Sequence, residues 1–449
     1  MADVDVLIVG AGSTGAAAAA FLAEAGFDVL AVDRRAPREA GARWLNAVPP
    51  WCFEEAGLGR PRAPERWGGE GEHASVVAIA GGGPRVRIEA ACTDHVDMRL
   101  LVARLQERAE RAGARFERNR LVDVEREGDR VRAVKLADRR VRPALVVDAS
   151  GLAGVVRQRV PALAAAGDPA PLDVCSASQH VHEVADREGA RAFLARYGAA
   201  PGESISLLGV AGGYSTLSLF TEPDLAQVGV LTGTVPAAGA PSGLGLLERF
   251  VEAQPWIGAR VFGGQAGIPI RRPYARLAAP GVALLGDAGC MVYASHGSGV
   301  GMGLIAARML AEALRGAADP GSARALRRWE RSWQRRWGGR LAGADAFRRF
   351  AQGLDREGVA TLFGSGLLDP HLVEAGLRQQ PPALDPAWLV RAAKRLAQRP
   401  DVARRMLPAV ARSLALEPLL ALAPVDQVEP VVERLVGPTP KTRARVHLP

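Results

Sequence analysis

The chain has 449 residues, of which 48% are hydrophobic and 23% charged, a composition typical of globular proteins and not of disordered or fibrous ones. The formal net charge of +9 would suit nucleic acid, but the arginines alternate with acidic residues along the whole chain and no nucleic-acid-binding motif occurs, so we expect no such partner. The four cysteines form no Cys-x-x-Cys pair, and the apolar runs fall short of the roughly 18 residues that a membrane-spanning helix needs. We therefore expect a cytoplasmic protein without disulfides or a bound metal.

The chain opens with a strand, a helix and a second strand. Residues 4–10 and 27–33 are hydrophobic runs that predict parallel strands, and the alanine-rich stretch 14–26 between them predicts a helix. Such a unit is typical of a parallel sheet covered by helices.

Three glycines mark the turn from the first strand into the helix. Gly10, Gly12 and Gly15 have the spacing with which a helix N-terminus binds a pyrophosphate, and Asp33 ends the second strand, where it can accept hydrogen bonds from an adenosine ribose. This stretch predicts dinucleotide binding, but it does not distinguish FAD from NAD(P).

The predicted secondary structure and the composition change along the rest of the chain. Residues 97–113 predict a helix, and several strands follow around the turn Glu127-Gly128-Asp129. Short β-prone segments separated by proline and glycine occupy about 170 to 270, and a buried strand at 281–287 leads into another helix. Beyond about 320 the pattern is helical and arginine-rich, with proline-marked breaks near 381–386 and 423.

Two distal segments carry further motifs. In "LVVDASGLAGVVR" Asp148 ends a predicted strand, and in "GVALLGDAGCMVYASHGSGVGMGLIAA" Asp287 ends another. The second segment continues through Gly297, Gly299 and Gly301 into a helix. With the first glycine motif, these segments form an ordered set of three.

In these three motifs the chain resembles the flavoprotein family that includes geranylgeranyl reductases, lycopene-cyclase-like enzymes and aromatic hydroxylases of the p-hydroxybenzoate hydroxylase fold. The resemblance implies an α/β fold, with a Rossmann-like FAD-binding domain, an inserted β-rich substrate domain and a helical C-terminal region. We place the FAD-binding domain in 1–165 and 270–320, the substrate domain in 166–269 and the helical region in 321–449.

The resemblance also implies a cofactor site for FAD. The first glycine motif and Asp33 would hold the ADP half, Asp287 would bind the ribitol hydroxyls, and the helix after Gly297 would direct its positive end at the flavin edge that gains negative charge on reduction. The full set of expected cofactor-binding residues is Gly10, Gly12, Ser13, Thr14, Gly15, Asp33, Arg34, Arg43, Arg99, Asp148, Gly286, Asp287, Gly297, Gly299 and Val300.

Two features depart from the reductases of this family. Ala294 stands where they have a proline, and of their Gly-Gly-Tyr-x-Trp-x-Phe-Pro pattern only Gly212-Gly213-Tyr214 remains. The flavin fold is thus better supported than an isoprenoid substrate.

His296, and less strongly Tyr293, are candidate catalytic residues because they lie in the loop that would pass the flavin. His296 could donate a proton or hydrogen-bond the flavin, or it could be a turn histidine bonded to backbone. Tyr214 and Trp51 are candidates for an apolar substrate pocket, although such aromatic residues are as often plain core.

The resulting prediction is an FAD-dependent oxidoreductase that transfers hydride through flavin N5. NAD(P)H is a possible donor, and it would bind transiently because the chain has no second Gly-x-Gly-x-x-Gly sequence. Reduction or dehydrogenation of a lipophilic or secondary-metabolite substrate is favoured. A flavin monooxygenase is the first alternative, and a non-catalytic lipid-escort protein is the second. The tryptophans never form the Trp-x-Trp-x-Ile-Pro motif of halogenases.

The segment "RALRRWERSWQRRW" carries Trp329, Trp333 and Trp337 in one helical stripe. The stripe could pack on the parent domain, or this basic helix could rest peripherally on an anionic membrane. The oligomeric state stays open.

Overall fold

A computed structural model describes residues 2–69, 71, 73–80, 82–382, 385–423 and 427–436. In chain order the strands are β1 (Val4–Val9), β2 (Val29–Asp33), β3 (Leu45–Val48), β4 (Ser75–Ile79), β5 (Arg85–Ile88), β6 (Asp94–Asp97), β7 (Arg115–Arg118), β8 (Leu121–Glu127), β9 (Arg130–Leu136), β10 (Arg140–Val141), β11 (Pro143–Asp148), β12 (Val174–Val184), β13 (Ser204–Leu208), β14 (Thr216–Thr221), β15 (Gln227–Thr234), β16 (Ile257–Pro269), β17 (Ala278–Ala279) and β18 (Val282–Leu284). The helices are α1 (Ser13–Glu24), α2 (Pro50–Glu55), α3 (Met98–Arg111), α4 (Pro161–Ala164), α5 (Arg187–Tyr197), α6 (Gly243–Glu252), α7 (Val300–Leu314), α8 (Ala323–Trp333), α9 (Gly339–Gly353), α10 (Arg356–Gly364), α11 (Pro370–Leu377), α12 (Pro386–Gln398), α13 (Pro400–Leu422) and α14 (Val428–Val436).

The first sheet has the strand order β17-β18-β11-β1-β2-β7. β1 lies between β2 and β11 and pairs with both in parallel, so that Val6 is opposite Val29 on one side and Leu145 on the other. Its side chains are buried on both faces, which explains why the sequence shows a continuous apolar run instead of an alternating one. α1 contacts both α3 and α7. The predicted α/β class and the Rossmann-like first domain are confirmed.

The second sheet has the strand order β16-β12-β15-β14-β13-β4-β5. One face, which we call the outer face, packs its apolar side chains against α5 and α6, where Leu217 and Val230 meet Phe193 and Leu247. The opposite, inner face is turned towards the β3–β6 pair of the first domain, because the Leu45 backbone N–H donates to Gln179 Oε1 at 2.8 Å.

The second sheet differs from the predicted substrate domain of residues 166–269. β4 and β5 come from the segment between β3 and β6, and β4 pairs in parallel with β13, with Ser75 opposite Ser204. Val77 and Ile79 of β4 are buried on the inner face beneath the C-terminal helices, which is the burial that holds this strand in the distant sheet. The β-rich domain is therefore built from two separate stretches of chain.

The C-terminal region is helical in its described part, as predicted, and residues 383–384, 424–426 and 437–449 of the predicted region lie outside the described residues. The stripe of Trp329, Trp333 and Trp337 is buried in the core of the first domain. α10 and α13 contribute Val359 and Val402 to an apolar cluster that covers one end of the inner face. Within the described residues, no helix combines the length and the apolarity that crossing a membrane requires.

Candidate functional site

The turn between β1 and α1 has a geometry that only glycine tolerates at two positions. Gly10 has φ +106°, and a Cβ there would lie 2.3 Å from the Ala149 carbonyl oxygen. A Cβ at Gly15 would lie 1.9 Å from the carbonyl oxygen of Gly10. These two glycines bring β1, α1 and the loop after β11 into backbone contact.

The N-terminus of α1 is available to an anion. Its N-cap residue, Gly12, supplies no side-chain cap, and the first turn carries no acidic residue. The backbone N–H groups at Ser13 and Thr14 therefore keep the positive end of the helix free, as a pyrophosphate site requires. A Cβ at Gly12 would lie 3.0 Å from the Cα of Gly41, so the loop after β2 closes over this turn.

Asp33 links that loop to the glycine turn. One carboxylate oxygen accepts a hydrogen bond from the backbone N–H of Ala11 at 3.0 Å, and the other accepts one from Arg35 at 2.9 Å. Each oxygen retains lone-pair capacity for a ribose hydroxyl. Arg34 and Arg43 are exposed beside it, and the Arg43 guanidinium donates to the backbone carbonyl of Arg38.

The Asp148 carboxylate is fully engaged in hydrogen bonds to the loop that follows β11. Its carboxylate accepts hydrogen bonds from Ser150 N–H and Oγ and from the backbone N–H groups of Val156 and Arg157. These four bonds hold the "DASG" loop against Gly10. A contribution of Asp148 to a cofactor site is thus one of positioning.

Thr14 connects the first glycine motif to the third motif. A Cβ at Gly303, in α7, would lie 2.1 Å from Thr14 Oγ1, and one at Gly286 would lie 2.8 Å from the same atom. Because both neighbours lack a side chain, α1 and α7 pack closely at this point. Asp287, the residue after Gly286, is thereby held next to the turn between β1 and α1.

Among the described residues, no group donates a hydrogen bond to the Asp287 carboxylate. Desolvation raises its pKa to about 6. A carboxylate that lies half-buried without a donor is suited to receive the hydroxyl groups of a ligand. A Cβ at Gly299 would lie 2.8 Å from its Oδ1, so the following glycine turn passes directly over it.

That turn leads into α7, a second helix whose N-terminus has no side-chain cap. Gly297 has φ +64°, Gly299 is the N-cap of α7 without a side-chain cap, and α7 begins at Val300. The first turn of α7 has no acidic residue. Its positive end is therefore free for an electron-rich ligand edge.

The loop before this turn contains both candidate catalytic residues. Tyr293 and Ser298 pair through their backbones, and the His296 backbone N–H donates to the Tyr293 carbonyl. His296 keeps an exposed surface, but protein packs densely around it, and the resulting loss of solvation lowers its pKa to about 4. Its ring is consequently neutral at physiological pH. Desolvation also raises the pKa of Tyr293.

We call the space bounded by this loop and by the inner face of the second sheet the cleft. At one end, the Tyr214 hydroxyl lies 3.1 Å from the position of a Cβ at Gly297. At the other end, the His95 ring stacks on the Phe220 ring with centroids 4.2 Å apart. Tyr214 thus lies against the turn at Gly297, whereas the His296 ring lies beside α11, with its Nε2 3.6 Å from the position of a Cβ at Gly376.

Trp51 and Arg99 contact elements next to the cleft. Trp51 donates from Nε1 to the backbone carbonyl of Arg378 at 2.7 Å and stacks on Trp337 at 5.7 Å, so it joins the first domain to the C-terminal helices. The Arg99 guanidinium pairs with Asp97 and lies 3.6 Å above the Phe262 ring. Arg99 therefore reaches the second sheet at β16.

Sequence reasoning missed several residues of this site. Gly303 and Gly41 pack closely against the first glycine motif, yet no spacing rule singles them out. His95 and Phe220 come from distant strands. Ser206 and Ser218 of the inner face carry a signal that could have been used, because hydroxyl residues alternate with leucines in "SISLL" and "STLSLF".

These residues fit FAD. Two uncapped helix N-termini, one at a pyrophosphate-type turn and one beyond Asp287, match the two electron-rich parts of such a dinucleotide. Asp33 and Asp287 have oxygen lone pairs for the ribose and ribitol hydroxyls. The contact of Thr14 with Gly303 makes the two halves one continuous site.

Comparisons with known proteins support the same cofactor. Residues 3–210 match the family model described as FAD binding domain. Digeranylgeranylglycerophospholipid reductase 1 from Methanopyrus kandleri is 27% identical over 329 residues, which cover 69% of this chain and 80% of that protein.

Two solved structures share the fold. A geranylgeranyl bacteriochlorophyll reductase-like protein from Thermoplasma acidophilum has a TM-score of 0.70 at 16% identity, covering 90% of this chain and 99% of that one. PqsL, a probable FAD-dependent monooxygenase from Pseudomonas aeruginosa, has a TM-score of 0.55 at 22% identity, covering 80% and 99%. The protein is therefore an FAD-dependent oxidoreductase, built on a fold that geranylgeranyl reductase-like proteins and FAD-dependent monooxygenases share.

Proposed function

We propose that the protein reduces or dehydrogenates a lipophilic or secondary-metabolite substrate, with NAD(P)H as a transient electron donor. The observation that carries this proposal is the contact between the second sheet and the glycine turn before α7, where the Tyr214 hydroxyl lies 3.1 Å from the position of a Cβ at Gly297, the residue after His296. The 27% identity to digeranylgeranylglycerophospholipid reductase 1 over 69% of the chain supports reduction as the reaction.

When bound, FAD supplies hydride transfer at N5 of its ring system. The chain's own residues would bind and orient it. The α1 N-terminus would hold the pyrophosphate, Asp33 the adenosine ribose and Asp287 the ribitol. The free N-terminus of α7 would stabilise negative charge at the adjacent ring edge, an effect of about 0.3–1 kcal/mol for a surface site and more when buried.

His296 would act as a neutral hydrogen-bonding group. With a pKa of about 4 it carries no proton to transfer as an acid at neutral pH, but its ring N–H can still donate a hydrogen bond. We therefore assign it the orientation of the flavin or of the substrate, and not general-acid catalysis.

This role gives a pH prediction. If His296 works as a neutral ring, kcat should show no inflection between pH 5.5 and 7.5 that is lost in His296→Asn. The measurement is a pH–rate profile of wild type and variant with the same donor. An inflection near pH 6.5 that disappears only in the variant would contradict the neutral-ring assignment.

The proposed reaction is tested on the purified yellow protein under anaerobic conditions. We expect NADPH or NADH to bleach the flavin absorbance, and slow re-oxidation by oxygen when no acceptor is present. If a substrate stimulates rapid oxygen consumption and is hydroxylated, the monooxygenase alternative replaces this proposal. PqsL, a probable FAD-dependent monooxygenase, has the same fold as this chain. A protein purified colourless that binds no added FAD would instead favour the lipid-escort alternative.

We also propose peripheral contact with an anionic membrane through α8. The exposed side of this helix and the segment that follows it line a groove of about 560 Å³ with Arg324, Arg327, Arg328, Arg331, Ser332 and Arg335. Its acidic residue Glu330 points inwards and accepts hydrogen bonds from the backbone N–H groups of Leu277 and Ala278. The exposed side is thus uniformly cationic, as adsorption to anionic lipid requires.

A further inference from the structure

The inner face of the second sheet carries a row of hydroxyl groups in its middle. The strand register places Ser206 of β13 opposite Ser218 of β14, and Ser218 opposite Leu231 of β15. Their sequence neighbours Leu207 and Leu217 point to the outer face and are buried there. The serine side chains must therefore face the cleft.

These hydroxyls interact with one another. Ser206 Oγ and Ser218 Oγ are 3.0 Å apart, and Thr216 Oγ1 lies 3.5 Å from Ser218 Oγ. All three side chains remain partly accessible, although the leucines between them are buried. We call Thr216, Ser218 and Ser206 the hydroxyl row.

The row has capacity left for a ligand. Three hydroxyls supply three donor protons, and at most two of them are used within the row. One O–H donor and several lone pairs therefore remain, which suits a ligand group that can both accept and donate, or only accept.

The direct cross-strand neighbours of the row are apolar. On the inner face its neighbours across the strands are Leu231, Gly233, Leu208 and Val77. Phe220, with His95 stacked on it, closes one side, and desolvation lowers the pKa of His95 to about 3, so that ring too is neutral. A carboxylate or ammonium group in direct contact with these neighbours would lose hydration without touching an opposite charge.

We propose that the substrate of this cleft is an uncharged molecule with an apolar body and a neutral oxygen group, a hydroxyl or carbonyl, that hydrogen-bonds to the hydroxyl row. This inference rests on the proposed function, since it names the substrate class of the same cleft. Leu231 and Phe220 would contact the apolar body, and Ser206 and Ser218 would determine specificity for the oxygen.

The experiment uses FAD-loaded protein and three matched probes: 2-naphthol, naphthalene and 2-naphthoate. Isothermal titration calorimetry gives the Kd of each, independently of turnover. We expect the naphthol to bind at least about fivefold more tightly than the other two, which is the size of a net neutral hydrogen bond. In Ser206→Ala and Ser218→Ala this preference over naphthalene should fall to about one.

Ser75→Ala is the matched control. Ser75 Oγ lies 2.8 Å from Ser204 Oγ in a second serine pair on the same sheet, but in the cross-strand row that contains Phe220. This variant should keep the naphthol preference. Circular dichroism and the flavin spectrum verify that each variant folds and retains FAD.

Two results would overturn the inference. One is a wild type that shows no preference for the naphthol, and the other is a preference lost equally in Ser75→Ala. Neither depends on flavin reduction, so a protein that NADPH bleaches but that ignores the oxygen group would refute only the substrate class. A protein that prefers the naphthol but is never reduced would refute only the proposed function.

Discussion

Thr14 is the residue on which the two halves of the cofactor site converge. Its Oγ1 lies where a Cβ at Gly303 would be 2.1 Å away and one at Gly286 2.8 Å away. A single methyl group at either glycine would therefore push Thr14 and its helix away from the segment that carries the proposed flavin-binding residues.

We expect Gly303→Ala to destabilise the protein by about 1–3 kcal/mol, as overpacking does, and to weaken FAD binding. Thr14→Ala combined with Gly303→Ala should recover much of the stability, because the nearest Thr14 atom would then be the Cβ at 3.2 Å. Thermal unfolding and flavin-fluorescence titration measure both effects. Equal losses in the single and double variants would show that the contact is not the cause.

Asp287 gives a pH-dependent prediction for the cofactor-free protein. Its folded pKa of about 6 lies above the usual value for an aspartate, so its ionisation costs stability, and this cost appears as the pH rises through that range. We expect Asp287→Asn to raise the Tm at pH 8 and leave it unchanged at pH 4.

The same substitution should lower the affinity for FAD, because it removes the acceptor charge for the ribitol hydroxyls. Thermal scans across pH, with and without FAD, separate the two effects. A variant that is no more stable than wild type at pH 8 would show that this carboxylate is satisfied within the chain.

At the scale of elements, α8 buries its tryptophans in the first domain and exposes its arginines at the surface. Trp329 and Trp333 are fully buried, whereas the arginines of the groove are exposed. The packing of the tryptophan stripe confirms one of the two interpretations of this segment, and the arginines leave the membrane proposal open to a direct test.

We expect the triple variant Arg324→Gln, Arg331→Gln and Arg335→Gln to lose most binding to vesicles that contain anionic lipid, in a salt-dependent manner, at about 1 kcal/mol for each arginine removed. Co-sedimentation with vesicles of phosphatidylglycerol and phosphatidylcholine measures it. The control changes three exposed arginines elsewhere, Arg62, Arg111 and Arg120, to glutamine. If that control loses as much binding, the effect is one of net charge and not of this helix.

Elements also mark where sequence could predict structure and where it could not. β1, α1 and the glycines between them follow from local rules, since a turn with positive φ and a close helix contact leave glycine at fixed positions. The hydroxyl alternation in β14 indicates a strand, but it does not reveal which face is covered by α5 and α6. The partner of Thr14 in α7 likewise depends on how two helices far apart in sequence pack.

At the scale of the whole molecule, a buried charge cluster joins the C-terminal helices to the second sheet. Arg348 of α9 pairs with Asp345 on its own helix and with Asp173 before β12, and all three side chains are buried. Burial by itself would raise the pKa of Asp345, but the charges of Arg348, Arg349 and Arg272 outweigh it and lower the pKa to about 2.

We expect Asp345→Asn to destabilise the protein by about 3–5 kcal/mol at neutral pH, because it leaves a buried guanidinium short of a partner. A folded pKa below the usual value means that the stabilisation exists at neutral pH and is lost as the pH falls towards 2. The difference in stability between variant and wild type should therefore shrink in acid, which urea unfolding at several pH values would show.

Asp319→Asn is the control for this prediction, since it breaks the partly exposed ion pair with Arg130. Such pairs typically contribute less than about 1 kcal/mol. An equally large loss of stability in the control would mean that the buried cluster stabilises the protein no more than the partly exposed Arg130–Asp319 pair does.

The strand β4 limits how this protein can be divided and recombined. Ser75 and Ser204 are 129 positions apart but hydrogen-bond side by side, so the second sheet is complete only when two distant stretches of chain meet. A chimera that transplants residues 166–269 alone would leave the edge of β13 bare, and an open edge pairs readily with other chains. Exchange of substrate preference between relatives therefore requires residues 75–88 to travel with the donor segment.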